Sequence, residues 1–215
     1  MYSVEYQTAV KLLEISAVKV QPNRPFTWAS GWLSPIYCDN RVALSYPEVR
    51  SFVRDSLCKL AETNFSKFDV IAGVATGAIA QGALVADCLK KPFVYVRSAP
   101  KDHGTSNLIE GWLKPGARVL VVEDLISTGG SSLKAVEILQ RAGAIVVGII
   151  ASFTYGFPQA DYSFAKAGVK LCTLTNYEYI LKAALESGYI EKESLETLNE
   201  WRKNPAQWKR EDDRK

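Results

Sequence analysis

The chain has 215 residues, of which 47% are hydrophobic and 23% are charged, and its formal net charge is +3. This is the composition of an ordinary globular enzyme, and most nucleic-acid-binding domains are more basic. Four widely spaced cysteines without a C-x-x-C pair and a single histidine predict neither a zinc site nor a disulfide framework. We expect a single domain over residues 1–215, reduced and mostly buried thiols, and a cytoplasmic location.

No segment of the chain is predicted to enter a membrane. Residues 1–10 lack the apolar core of a signal peptide. The longest apolar run, from Ala142 to Phe153, is too short to span a bilayer. We therefore expect small-molecule substrates and neither nucleic acid nor membrane as a partner.

The first third of the chain predicts two helices separated by an irregular segment. Residues 4–18 have the apolar spacing of an amphipathic helix. Residues 21–41 carry three prolines, a glycine and several aromatic residues, which argues against regular structure. We predict that about residues 20–41 form a small hood over the main sheet. Pro47 suits the first turn of a second helix, which runs to about Ala61.

From Asp69 onward, apolar strands alternate with amphipathic helices. Strands are predicted at 70–74, 93–96, 118–122, 144–153 and 169–174, and helices at 77–89, 131–141 and 159–167 and from residues 177 and 193. A polar loop is expected at residues 97–107. Repeated strand–helix units predict an α/β fold with a mostly parallel central sheet flanked by helices.

Residues 118–132, R-V-L-V-V-E-D-L-I-S-T-G-G-S-S, combine a buried strand, two acids, a small-residue turn and a helix start. A parallel strand delivers its last residues to the carboxyl edge of the sheet, where ligands of α/β folds bind. The turn and the helix N-terminus suit a phosphate, whereas carboxylates suit sugar hydroxyls. We predict a ribose 5-phosphate site, with the hydroxyls on Glu123 and Asp124 and the phosphate on residues 127–131.

Two alternatives explain the same stretch less well. One is an ordinary crossover with a polar turn, which does not account for acids, hydroxyls and glycines in this order. The other is the magnesium-binding acid of a nucleoside triphosphatase, which needs a G-x-x-x-x-G-K-S/T loop. The chain contains no such loop and no G-x-G-x-x-G fingerprint.

The stretch resembles the phosphoribosyl-diphosphate signature of the type I phosphoribosyltransferases. The resemblance implies the type I fold and a transfer reaction, and it implies that the turn at residues 72–77 holds pyrophosphate. Without the resemblance, that turn is equally consistent with a tight crossover. The implied phosphoribosyl-diphosphate contacts are Glu123, Asp124, Leu125, Ile126, Ser127, Thr128, Gly129, Gly130 and Ser131.

Residues 97–104, R-S-A-P-K-D-H-G, resemble the mobile active-site loop of the orotate phosphoribosyltransferases. In that family the loop reaches across a dimer interface. The resemblance therefore implies a homodimer in which Arg97, Lys101 and His103 contact phosphoribosyl diphosphate in the neighbouring subunit's site. By composition alone, the segment is more simply a solvated charged loop.

Residues 26–41, F-T-W-A-S-G-W-L-S-P-I-Y-C-D-N-R, resemble the segment that lines the acceptor-base pocket of the same family. The resemblance implies that Tyr37 and Ser127 bind orotate. Read without it, the segment is an aromatic hood that packs on the main sheet. Ala29 and Gly77 stand where many members of the family have lysine.

Together the three stretches imply transfer of ribose 5-phosphate from 5-phosphoribosyl 1-diphosphate to orotate, in pyrimidine (UMP) biosynthesis. Lys101, Asp124 and Glu123 are the implied catalytic residues. Mg²⁺ is the implied cofactor, held mainly by the substrate and not by protein side chains. Transfer to another base, and a regulator that senses phosphoribosyl diphosphate, remain the alternatives.

Overall fold

The computed structural model describes residues 2–99 and 108–208. The N-terminal part of the chain forms two helices with four short strands between them. In chain order the elements are α1 (Val4–Glu14), β1 (Val18–Val20), β2 (Phe26–Thr27), β3 (Leu33–Ser34), β4 (Ile36–Cys38), a 3₁₀ helix (Asn40–Ser45) and α2 (Pro47–Asn64). The predicted end of the first helix at residue 18 is wrong, because Ser16 has a φ of 57° and Val18 begins a strand.

The hood segment is more regular than its prolines predict. Strand β1 pairs antiparallel with β4, and β2 pairs with β3 around Gly31. Gly31 has a φ of 82°, a left-handed conformation that glycine adopts without strain. The expectation of irregular structure here is therefore wrong, since strands of two or three residues leave no visible periodicity.

A six-stranded sheet lies at the centre of the molecule. Its strands are β5 (Val70–Val74), β6 (Phe93–Val96), β7 (Ile109–Glu110), β8 (Arg118–Ile126), β9 (Ile145–Thr154) and β10 (Leu171–Asn176). They lie in the order β10-β9-β8-β5-β6-β7, and all neighbours are parallel except β6 and β7. The predicted mostly parallel α/β sheet is confirmed, whereas the short antiparallel edge strand β7 was not predicted.

Five further helices complete the described chain. They are α3 (Ala78–Cys88), α4 (Gly130–Arg141), α5 (Pro158–Ala167), α6 (Tyr177–Glu186) and α7 (Ser194–Lys203). Side chains of β8 alternate between the two faces of the sheet, as a strand requires. Val119 and Val121 pack in the cluster that contains α4 and α5, whereas Leu120 and Val122 pack in the cluster that contains α2 and α3.

Helix α7 fixes the hood against the sheet. Trp201 of α7 is fully buried, and its indole nitrogen donates a hydrogen bond to the Leu33 carbonyl oxygen at 3.0 Å. The Trp28 ring packs against Trp201 at a centroid distance of 5.7 Å and against Tyr155 at 5.0 Å. Trp28 is therefore a packing anchor of the hood.

All four cysteines are free thiols, of which Cys38 and Cys58 are buried and Cys88 is exposed. The expectation of mostly buried thiols thus holds for two of the four. Within residues 2–99 and 108–208, no helix has the length and apolar character that a membrane span requires.

Candidate active site

The acidic pair lies inside strand β8, not after it. The strand continues through Glu123 and Asp124 to Ile126, because its last residues still pair with β9. Since successive side chains leave a strand on opposite faces, Glu123 projects toward α4 and Asp124 toward α3. The two acids are adjacent in sequence, but each belongs to a different wall of the site.

A cavity of about 230 Å³ opens at the carboxyl edge of the sheet between the ends of β5 and β8. It brings together the turn at residues 74–77 and the stretch at residues 123–132, which are distant in sequence. The cavity is lined by Val74, Ala75, Thr76, Gly77, Glu123, Asp124, Leu125, Ser127, Thr128, Gly129, Gly130, Ser131 and Ser132. This is the place where open parallel sheets bind ligands.

Glu123 is the buried member of the pair, with 4% of its surface exposed. Its Oε2 accepts a hydrogen bond from the Ser132 hydroxyl at 2.8 Å, and its Oε1 accepts one from the Asp124 backbone amide at 3.1 Å. Burial raises the pKa of the Glu123 carboxyl well above its ordinary value, and the neighbouring Asp124 carboxyl raises it further. Both effects favour the protonated form of Glu123 relative to an exposed glutamate.

Asp124 is half-buried and held by its surroundings on two sides. Its Oδ1 accepts a hydrogen bond from the Leu125 amide at 2.8 Å. Its carbonyl oxygen accepts one at 2.6 Å from the side-chain amide of Asn40, which ties the hood to β8. The Asp124 carboxylate also occupies the space that a side chain at Gly77 would fill.

The N-terminus of α4 forms the phosphate-sized end of the cavity. Gly129 has a φ of 82°, and a Cβ atom there would lie 2.7 Å from the Phe164 ring, so the turn requires glycine. A Cβ atom at Gly130 would meet no atom within 4 Å, which leaves this backbone open to a ligand. The first amides of a helix lack intrahelical partners and carry the positive end of the dipole. This end of the cavity is therefore suited to an anion.

The predicted residues are only partly brought together. Ile126 belongs to the strand but its side chain is buried in the core. Tyr37 is 38% exposed on β4, where its ring lies 5.6 Å from the Phe26 ring, outside the cavity lining. Arg97 follows β6, and its guanidinium pairs with Glu110 at 3.3 Å. Lys101 and His103 lie outside the described residues.

Two residues that hold the acids were not predicted. Ser132 bonds Glu123, and Asn40 bonds the backbone of Asp124. A serine in the first turn of the helix after the strand was the one available signal for Ser132. Nothing local marks Asn40, because its partner is 84 residues away.

The raised pKa of Glu123 predicts a pH-dependent effect of Glu123→Gln on stability. The folded protein binds this proton more tightly than the unfolded chain does. The stabilisation that the protonated Glu123 carboxyl contributes is therefore complete below its ordinary pKa of 4.5. It is lost as the pH rises toward the pKa of Glu123 in the folded protein. The neutral variant should gain stability relative to the native protein across this window, with a slope of up to about 1.4 kcal/mol per pH unit.

Urea denaturation between pH 4.5 and pH 8 measures the difference directly, starting at the ordinary pKa. Glu137→Gln is the matched control, because the Glu137 side chain is 64% exposed on α4. If the difference in the free energy of unfolding between Glu123→Gln and the native protein stays constant with pH, the raised pKa of Glu123 is contradicted.

Comparison with known proteins identifies the family. A family model described as Phosphoribosyl transferase domain matches residues 48–180. An orotate phosphoribosyltransferase from Bacteroides fragilis is 63% identical over 208 residues, covering 97% of this chain and 98% of that protein. The crystal structure of orotate phosphoribosyltransferase from Aeropyrum pernix superposes with a TM-score of 0.74 at 31% identity, covering 85% of this chain and 99% of that chain.

A longer protein contains the same fold. The structure of UMP synthase from Leishmania donovani superposes with a TM-score of 0.78 at 27% identity, covering 92% of this chain but 42% of that chain. The relatives confirm the type I phosphoribosyltransferase fold and the activity predicted from the sequence. With the family model matching more than half of its length and close relatives spanning nearly all of it, the chain belongs to the orotate phosphoribosyltransferase family.

Proposed function

We propose that this enzyme transfers ribose 5-phosphate from 5-phosphoribosyl 1-diphosphate to orotate, giving orotidine 5′-phosphate and pyrophosphate, in UMP biosynthesis in the cytoplasm. The observation that carries the site assignment is the single cavity in which the acidic pair and the N-terminus of α4 meet. Ribose 5-phosphate carries both a diol, which suits the acidic pair, and a phosphate, which suits the N-terminus of α4. The membership of the chain in the family supports orotate as the acceptor.

In the proposed complex, the ribose lies over Asp124 and its phosphate lies at the turn before α4. The carboxyl groups of Asp124 and Glu123 are assigned to the ribose hydroxyls, for which carboxylate oxygens are good acceptors. Glu123 lines the cavity and is held there by the Ser132 hydroxyl. Backbone amides and hydroxyls for the phosphate are assigned to Thr128, Gly129, Gly130 and Ser131. Ser127 lines the same cavity and is assigned to both the phosphoribosyl group and the base.

The pyrophosphate of the substrate is assigned to the turn at residues 74–77, which forms the opposite wall of the cavity. Arg97, Lys101 and His103 of the neighbouring subunit are proposed to contact the pyrophosphate from outside. Arg97 does not line the cavity of its own chain and points to Glu110. The proposed role of this arginine at a partner's site in a homodimer rests on the resemblance of residues 97–104 to the loop of the family.

The reaction needs no covalent enzyme intermediate. The ring nitrogen of deprotonated orotate attacks the anomeric carbon as the bond from that carbon to the pyrophosphate oxygen breaks. Positive charge develops on the sugar, and we assign its stabilisation to the Asp124 carboxylate. Negative charge develops on the pyrophosphate, where preplaced cations such as Lys101 act most strongly once water is excluded. Tyr37 and Ser127 are assigned to orotate.

Magnesium is proposed as the cofactor and is assigned mainly to oxygen atoms of the substrate. No group of three or more His, Cys, Asp or Glu side chains that could hold a metal ion occurs among the residues that the structure describes. In the cavity, Glu123 is buried and bonded by Ser132. We assign the ion to oxygen atoms of the diphosphate and ribose and to water, which is its usual coordination with phosphate substrates. The bound ion would neutralise charge on the pyrophosphate.

The direct test is consumption of orotate, followed by its ultraviolet absorbance, with phosphoribosyl diphosphate and Mg²⁺ present. We expect turnover with orotate, stoichiometric release of pyrophosphate, and loss of activity when Mg²⁺ is chelated. Uracil, hypoxanthine and adenine are the comparison acceptors. If one of these bases is turned over faster than orotate, that base is the substrate instead of orotate. Binding of phosphoribosyl diphosphate without any turnover would indicate a regulator.

Subunit mixing tests the assignment of the loop to the neighbouring site. Lys101→Ala and Asp124→Asn should each lower kcat/KM by about 10²-fold or more. When the two inactive variants are unfolded, mixed in equal amounts and refolded, half of the dimers carry one intact site. Activity should then recover to about one quarter of the native value. If Lys101 acts within its own subunit, every site in the mixture stays defective and no recovery occurs.

Gly77→Ala tests the position of the Asp124 carboxylate. The new methyl group would overlap this carboxylate, although the Gly77 backbone, with a φ of −59°, accepts alanine. We expect KM for phosphoribosyl diphosphate to rise about tenfold or more, since displacement of one charged acceptor costs about 1.5–3 kcal/mol. In an Asp124→Ala background the collision is absent, so Gly77→Ala should have little further effect. Equal effects in both backgrounds would contradict the explanation.

A further inference from the structure

A second, much smaller cavity lies on the α3 side of Asp124. It provides about 10 Å³ of space for solvent, which is roughly the requirement of a single water molecule. Its polar lining comes from Asn40, Gln81, Asp124 and Ser152, together with Arg41. None of the assignments above uses this cavity or explains why polar side chains surround it.

Gln81 is the unexplained member of this lining. The residue is 6% exposed, and its side-chain nitrogen Nε2 has no hydrogen-bond partner in the protein. Within residues 2–99 and 108–208, Thr175 supplies the one other buried side-chain polar atom in this condition. A buried amide without a partner is costly, and native proteins rarely retain one without a reason.

The position of Gln81 on α3 explains where its amide points. Gln81 follows Gly77 by four residues, so the two residues share one face of the helix. At Gly77 that face contacts the Asp124 carboxylate. The Gln81 amide and the Asp124 carboxylate therefore line the same cavity, one as a hydrogen-bond donor and the other as an acceptor.

We propose that Gln81 is a positioning residue for Asp124 and that its Nε2 donates to the Asp124 carboxylate through one buried water. Ser152 is 2% exposed and Asn40 9% exposed in the same lining. They supply the additional polar neighbours that a buried water requires. Together with the bond from Leu125, this contact fixes the carboxylate from the side opposite the ribose. The inference rests on the proposed binding of ribose by Asp124.

Gln81→Met is the main variant, because methionine keeps the length and flexibility of the side chain but removes the amide. We expect about tenfold weaker binding of phosphoribosyl diphosphate, the usual effect of losing a hydrogen bond to a charged group. Titration calorimetry measures this binding, and steady-state kinetics should show the same rise in KM. KM for orotate at saturating phosphoribosyl diphosphate should not change. Gln140→Met, on the exposed face of α4, is the matched control and should behave as the native protein.

Asp124→Ala and the double variant separate this inference from the proposed function. If Asp124→Ala binds phosphoribosyl diphosphate as tightly as the native protein, the ribose assignment fails. If Asp124→Ala weakens binding and Gln81→Met does not, only the role of Gln81 is overturned. If Gln81 acts through Asp124, Gln81→Met should weaken binding no further in the Asp124→Ala background. Additive losses would show that Gln81 acts by another route.

Stability provides a readout that does not depend on the substrate. Replacing an amide that has no partner by an apolar group of similar shape stabilises a protein, whereas replacing one that is engaged through water does not. We expect Gln81→Met to be no more stable than the native protein in urea denaturation. A clear gain in stability would overturn the proposed water bridge. A crystal structure with a water within hydrogen-bond distance of Gln81 Nε2 and the Asp124 carboxylate would support it.

Discussion

The active site depends on how strand β8 places two adjacent carboxyl groups beside a site for anions. Two charged acids would repel each other and a bound phosphate. The alternation of the strand sends Glu123 toward α4 and Asp124 toward α3, and burial raises the pKa of Glu123. Protonation of Glu123, which this raised pKa favours, reduces the repulsion between the acidic pair and an anion at the N-terminus of α4.

The neighbouring elements hold the two acids in this arrangement. Ser132 bonds the buried acid, Asn40 bonds the backbone of the charged acid, and Gly77 leaves room for its carboxylate. Each contact comes from a different element, namely α4, the 3₁₀ helix of the hood and the start of α3. Three parts of the fold thus hold the acidic pair, with Ser132 acting on Glu123 and with Asn40 and Gly77 acting on Asp124.

The sequence predicted what local patterns can encode. The apolar run at Val119 to Val122 indicated a strand buried on both faces, and the structure confirms it. The pattern could not show that the strand continues to Ile126, because two acids resemble the start of a loop and the pairing partners lie on β9. Strand β7 has two residues and no periodicity. The residues that position the acids escaped prediction for the same reason, since Asn40 is 84 residues from its partner.

The charge of the cavity lining bears on how the proposed leaving group is stabilised. Its lining among the described residues contains backbone amides, hydroxyls and two acids, but no lysine, arginine or histidine. Amides and a helix dipole suffice for a stable phosphate, whereas a departing pyrophosphate gains charge that they do not neutralise. The cations proposed above, namely Mg²⁺ and the basic residues of a neighbouring subunit's loop, would supply the positive charge that this lining lacks. Since those cations act most strongly in the absence of water, binding of the ribose phosphate and stabilisation of the leaving group are physically separable steps. In this proposal the cavity provides the first step, and the added cations provide the second.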